Sequence, residues 1–185
     1  MWTTKSRAIL ASLLISLAAC TVRLVPDYQP TLVDGLNKAN NDTLVLFAAL
    51  QQGVAPTTYA VYAKRYDVAI GAFSALKTQA EARDVPPLGV SLVDKVKKLG
   101  VATLAKVCPD SSDCVNPTPK ILDSVIGTLT EVQRVHKQKG YLQAAGSCTP
   151  ATAAQQAHTG VMFYECAYLE DVRQALFVET SLKRN

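Results

Sequence analysis

The chain has 185 residues, 49% of them hydrophobic and 18% charged, with 19 Lys and Arg against 15 Asp and Glu for a net charge of +4. That length suits one domain and is short for two of ordinary size. So small a basic excess carries no nucleic-acid footprint.

Lys5 and Arg7 precede an apolar run from Ala8 to Ala19, with no acidic residue before it. A positive start, a greasy middle and small residues at the end are the layout of a secretory signal. The run is about 12 residues, short of the ~20 a membrane-spanning helix needs, so a permanent transmembrane anchor is not expected. The run ends in Leu17-Ala18-Ala19-Cys20. This tetrapeptide resembles the bacterial lipobox; the alternative is an ordinary signal peptide with an incidental cysteine. The resemblance implies removal of residues 1–19, a diacylglycerol thioether on Cys20, and a further acyl chain such as palmitate on the new amino group. Two or three acyl chains hold a protein at a bilayer almost permanently, whereas one holds marginally. Gram-negative lipoproteins kept at the inner membrane commonly carry aspartate after the cysteine. Here Thr21 stands there, so the resemblance implies an outer-membrane lipoprotein facing the periplasm. Without residues 1–19 the chain is 166 residues long with a net charge of +2.

Residues 20–30 then form the lipidated cysteine and a tether of about ten residues, with a reach of at most about 35 Å. All nine prolines fall at the ends of Ala-, Leu- and Val-rich segments, as punctuation between helices does. A first helix is expected from Thr31 to about Gln52, with Leu32, Leu36, Ala39, Thr43, Phe47 and Leu50 on one face. Its weak stretch is Asn37 to Asp42, a run of poor helix formers. A second starts near Pro56 to Thr58 and places Tyr59, Tyr62, Tyr66, Ile70, Phe73 and Leu76 together until about Arg83. A short third helix, Ser91 to Val107, precedes a cysteine loop. Thr118 caps a fourth, with Pro119 in its first turn, carrying Ile121, Leu122, Val125, Leu129 and Val132 to near Gly140. A last helix starts at Thr149 and Pro150 and shows Ala154, Ala157, Val161, Tyr164, Tyr168, Val172, Ala175 and Leu182 before a basic end that suits a helix C-terminus.

Amphipathic stripes must bury one another. The expected fold is all-α: a single up-and-down bundle over residues 31–185, with four long helices, one short one and disulfides as staples. Cys108, Cys114, Cys148 and Cys166 are an even set in a chain bound for an oxidising compartment. Pairing 108–114 closes a short loop; 148–166 is its complement. An unbroken last helix would put Cys166 about 24 Å along from Pro150, beyond the ~7 Å a disulfide tolerates between Cα atoms. Either the helix breaks near Thr159-Gly160, or Cys148 and Cys166 have other partners.

No H-E-x-x-H, G-x-S-x-G, phosphate-cradling loop or haem-attachment motif occurs. Only two histidines are present. An antiparallel hairpin could bring His136 and His158 together, with Met162 nearby, as a metal or haem site; the plainer expectation is a solvated His136 beside Lys137 and Lys139 and a half-buried His158. Tyr59, Tyr62 and Tyr66 are candidate ligand or partner contacts, against simple core packing. Glu165, Glu170 and Asp171 read as a solvated face. No catalytic residue, metal or cofactor is assigned. The reading is a non-catalytic, membrane-anchored module that contacts an envelope protein; the alternative is a bundle holding a small ligand or metal.

Overall fold

The computed structural model of the protein describes residues 23–98, 110–138 and 160–183. Within them lie α1 (Pro30–Leu50), a 3-10 turn (Pro56–Thr58), α2 (Tyr59–Glu81), α3 (Pro87–Lys98), α4 (Ser111–Val115), α5 (Thr118–Gln138) and α6 (Val161–Leu182). Pro30 opens α1, where its missing N–H leaves no intrahelical bond unmade. Beyond Leu50, Gly53 turns the chain at a φ of 78°, a left-handed conformation that glycine reaches without a Cβ clash.

The four long helices form a closed ring in which α1 packs on α2 and α6, and α5 packs on the same two. Cross-links between helices give their directions. Gln79, late in α2, donates to Thr31 at the start of α1. Lys77 pairs with Asp123, while Gln133 donates to Asp67, so α5 runs against α2. Ser124 donates to Asp171 and Thr118 to Glu179, so α6 runs against α5. Three reversals leave α6 antiparallel to α1: the up-and-down bundle of four long helices is present.

The core follows spacings of three and four residues in every long helix. In α1 it is Leu32, Leu36, Ala39, Thr43, Leu46 and Leu50; in α2 Tyr66, Ala69, Phe73, Leu76 and Ala80; in α5 Leu122, Val125, Leu129 and Val132; in α6 Val161, Tyr164, Tyr168, Val172 and Ala175. A repeat averaging 3.5 residues keeps one seam facing inward along a slightly supercoiled bundle. Tyr168 sits at its centre, with ring centroids 5.2 Å from Phe47 and 5.8 Å from Phe73.

Several local expectations change. The weak stretch Asn37 to Asp42 is unbroken helix, because Ala39 and Thr43 are buried, Lys38 pairs with Asp42 at 2.6 Å, and Asn40 accepts the Tyr168 hydroxyl at 3.0 Å. The third helix begins earlier, at Pro87 rather than Ser91, and is described to Lys98; its expected end at Val107 lies outside the described residues. The cysteine loop holds the extra helix α4, with Asp113 in its first turn, where a carboxylate suits the helix dipole. The last helix, expected from Thr149, begins at Val161 after an extended Gly160 (φ −88°, ψ 146°). That is the break the Cys148–Cys166 pairing requires.

Cys114 and Cys166 are each half of a disulfide. They cannot be bonded to each other, since about 13 helical residues, roughly 20 Å, separate Cys166 from Glu179 beside the α4–α5 corner. No disulfide has both halves among the described residues; Cys108, Cys148, Cys20 and His158 lie outside them.

Finally, the tether is not free along its length. Pro26 is buried, and a Cβ built on Gly89 of α3 would lie 2.5 Å from the Leu24 carbonyl oxygen and 3.2 Å from Val115 Cγ1. Only glycine lets α3 approach the Leu24 backbone this closely, so the chain is docked on α3 before it enters α1.

Candidate functional site

Two features on α2 merit a functional reading, one inside the bundle and one on its flank. The inner one gathers the predicted tyrosines and one histidine. His136, at the end of α5, is 0% exposed. Its imidazole makes an edge contact with Tyr59 at a centroid distance of 5.6 Å, a tilted one with Tyr62 at 5.5 Å, and an edge contact with Tyr66 at 5.8 Å. The expected solvated His136 is therefore overturned: the core seam of α5 continues through Val132 to this position and turns it inward.

The hydrogen bonds assign the ring's proton. Nε2 is 3.1 Å from the Ala55 carbonyl, which can only accept, so Nε2 carries the hydrogen. Thr58 donates to the same carbonyl at 2.7 Å, leaving its oxygen free to accept from Nε2 at 3.2 Å. Nδ1 then accepts the Tyr66 hydroxyl at 3.1 Å. Burial lowers the histidine pKa, offset in part by the Ala55 carbonyl. Burial also raises that of Tyr66, with Tyr59 and Tyr62 adding to the shift. A neutral imidazole and a protonated phenol, each with partners, form a closed structural joint between the 3-10 turn, α2 and α5. A metal would have to displace these bonds. Among the described residues no group of three or more His, Cys, Asp or Glu could hold one.

On the flank, a groove of about 540 Å³ runs between α1 and α2. Ala39, Leu46 and Ala69 form its buried floor, while Val45, Val61 and Val68 stand 64%, 72% and 56% exposed along its walls. Isolated exposed valines are ordinary, but three lining one cleft make it the candidate surface on this flank. The rim carries Lys64, Arg65 and Asp42; the charge of Asp42 is offset by Lys38, so the rim is basic. Arg65 also lies over the Tyr62 ring at 5.8 Å, which links this rim to the inner cluster.

A third constellation was not predicted. Arg83, at the end of α2, donates through Nη1 and Nη2 to the Glu179 carboxylate at 2.8 and 2.7 Å, both residues being buried. Nη2 also donates to Asn116 Oδ1 at 2.6 Å, Asn116 Nδ2 donates to the Ala80 carbonyl at 2.8 Å, and Thr118 donates to Glu179. Such a buried pair survives because its charges and hydrogen-bonding groups are all engaged. The signal was there to read: the α2 seam runs through Ala80 to Arg83, and the α6 seam through Ala175 to Glu179, at the same three- and four-residue steps.

Of the predicted solvated carboxylates, Glu170 is exposed and pairs with Arg173. Asp171 instead accepts from Ser124 at 2.6 Å, and burial raises its pKa while that bond lowers it. No helix among the described residues is long and apolar enough to cross a membrane. No family model matches the sequence, and neither a curated protein nor a solved structure matches it.

Proposed function

We propose that this chain is a lipid-anchored, non-catalytic helical module that binds an envelope protein through the groove between α1 and α2. The anchor is Cys20, read from the lipobox resemblance, with the domain on the periplasmic side of the outer membrane. The basic-rimmed valine groove carries the binding reading. It extends along α2 from Val61 to Ala72, about 16 Å, enough for three turns of a partner helix. Lys64 and Arg65 call for a partner whose apolar stripe is flanked by Asp or Glu, in the helix-in-groove mode. A second copy of the chain would bring two basic rims together, which repels. A small apolar ligand is less well served, because ligand sites enclose most of their occupant and these valines stand open.

The disulfides proposed with this reading are Cys108–Cys114 and Cys148–Cys166; the start of α6 at Val161 is compatible with the second.

The test is a photo-crosslinking amino acid at Val61 or Val68, activated in living cells, with the adduct identified by peptide sequence. The expected adduct is a helical segment with apolar residues three and four apart and acidic flanks. Lys64→Glu with Arg65→Glu should abolish the adduct at unchanged melting temperature, since both residues are exposed. Adducts to lipid or to the chain itself, or adducts indifferent to the charge reversal, would sink the proposal.

A further inference from the structure

The tether end of the bundle shows three exposed apolar side chains, Leu24, Val25 and Leu88, at 45%, 36% and 50%. They lie around the close approach of Leu24 to Gly89. We infer that this patch is a membrane-contact surface, held against the lipid bilayer because the chain docks on α3 only four residues after Cys20.

The inference rests on the lipidation of Cys20 proposed above and adds an orientation to it. A free leash of ten residues would let the domain drift about 35 Å and tumble, but four residues span at most about 14 Å. From Leu24 onward the chain is part of the folded body, with Pro26 buried and the Leu24 backbone against Gly89, which also lies close to Val115. That body is stiff. Val115 precedes Asn116, which the Arg83 guanidinium and the Ala80 carbonyl hold, and Glu179 ties the same corner to α6. The leash therefore positions one end of the whole bundle, and that end presents two leucines and a valine.

Tethering at this distance supplies a high effective concentration of bilayer, so three partly exposed side chains suffice for contact. Charge does not drive it. Arg23 is matched by Asp27, and Asp84 and Asp110 are exposed at this end, so the contact forms on neutral lipid and is insensitive to salt. With this end down, the groove begins about 13 Å along α1 from Pro30 and continues to about 24 Å, where a partner standing off the membrane meets it.

The experiment uses tryptophan as a depth probe. The one tryptophan is Trp2, so a Trp2→Phe background is dark. The full chain carrying Leu88→Trp, and a second carrying Val61→Trp, are recovered from cell membranes and placed in phosphatidylcholine vesicles brominated near the headgroup. Quenching at Leu88→Trp is expected to exceed that at Val61→Trp several-fold, at low and high salt alike. Gly89→Ala added to Leu88→Trp should release Leu24 and reduce the quenching at unchanged helical content. Equal quenching at the two positions, or no effect of Gly89→Ala, overturns the inference. Intact mass of the same samples reads the acyl chains on Cys20 separately. Should they be absent, the anchor reading fails by itself, and coupling the Cys20 thiol to maleimide-headgroup vesicles repeats the quenching test with the same deciding outcomes.

Discussion

His136 is where one side chain most clearly couples sequence to stability. The ring is neutral, enclosed by Tyr59, Tyr62 and Tyr66, with Lys137 over the outer face of Tyr59. Burial lowers its pKa below the unfolded value, so below about pH 6.5 the unfolded chain takes up a proton that the folded chain resists. The unfolded state then binds more protons, and stability falls as pH falls, by up to about 1.4 kcal/mol per pH unit. Urea midpoints should drop between about pH 7.5 and about pH 5.5. The drop should be smaller in His136→Gln, which starts less stable because Tyr66 and Ala55 lose a well-placed partner. Asp171, raised by burial, acts in the opposite sense at lower pH and is common to both chains, so it cancels in the comparison. Identical pH profiles for the two proteins would refute this account of the histidine.

Helix ends are joined here by polar side chains placed on the core seam. Arg83 closes α2, Asn116 and Thr118 open α5, and Glu179 closes α6; their mutual hydrogen bonds fix the corner where α3 and α4 attach. Removing one charge leaves the other buried without a counterion, which costs about 3–5 kcal/mol. Glu179→Met and Arg83→Met should each destabilise by that order in chemical denaturation. Arg83→Met combined with Glu179→Met should lose clearly less than the two single losses together, because neither charge then remains. Additive losses would mean that the pair does not act as a unit. The heptad spacing already pointed to these positions: Arg83, Thr118, His136 and Glu179 all fall on a stripe of apolar residues. A reading that extends stripes only through apolar letters stops one step short of each. What spacing could not supply is the partner, because Arg83 and Glu179 are 96 residues apart and meet only once the helices close into a ring.

For the whole molecule, the weight of the proposed disulfides is set by the loops they would close. If paired as proposed, Cys108–Cys114 would close a loop of about seven residues and contribute roughly 2 kcal/mol, and Cys148–Cys166 one of about 19 residues and roughly 3 kcal/mol, in the chain-entropy picture. Non-reducing peptide mapping should recover these two pairs; a Cys114–Cys148 peptide would instead tie the two ends of the bundle together and require a different course for the linking chain. Reduction should lower the melting temperature while leaving the helical content high, because the buried seams of all four long helices are independent of the staples.

The four long helices, their faces and the all-α class were legible in the chain itself, since each depends on contacts between residues three and four apart that any isolated segment already encodes; the short α4 was not. The start of α6 at Val161 was legible only as one of two options, because spacing alone does not choose between a helix break and other cysteine partners. The partners of Arg83 and His136, the docking of Leu24 on Gly89 and the open valine groove belong to the assembled bundle alone. Each arises from residues tens of positions apart, whose meeting depends on the order and direction in which the helices pack, and local spacing carries no information about that order.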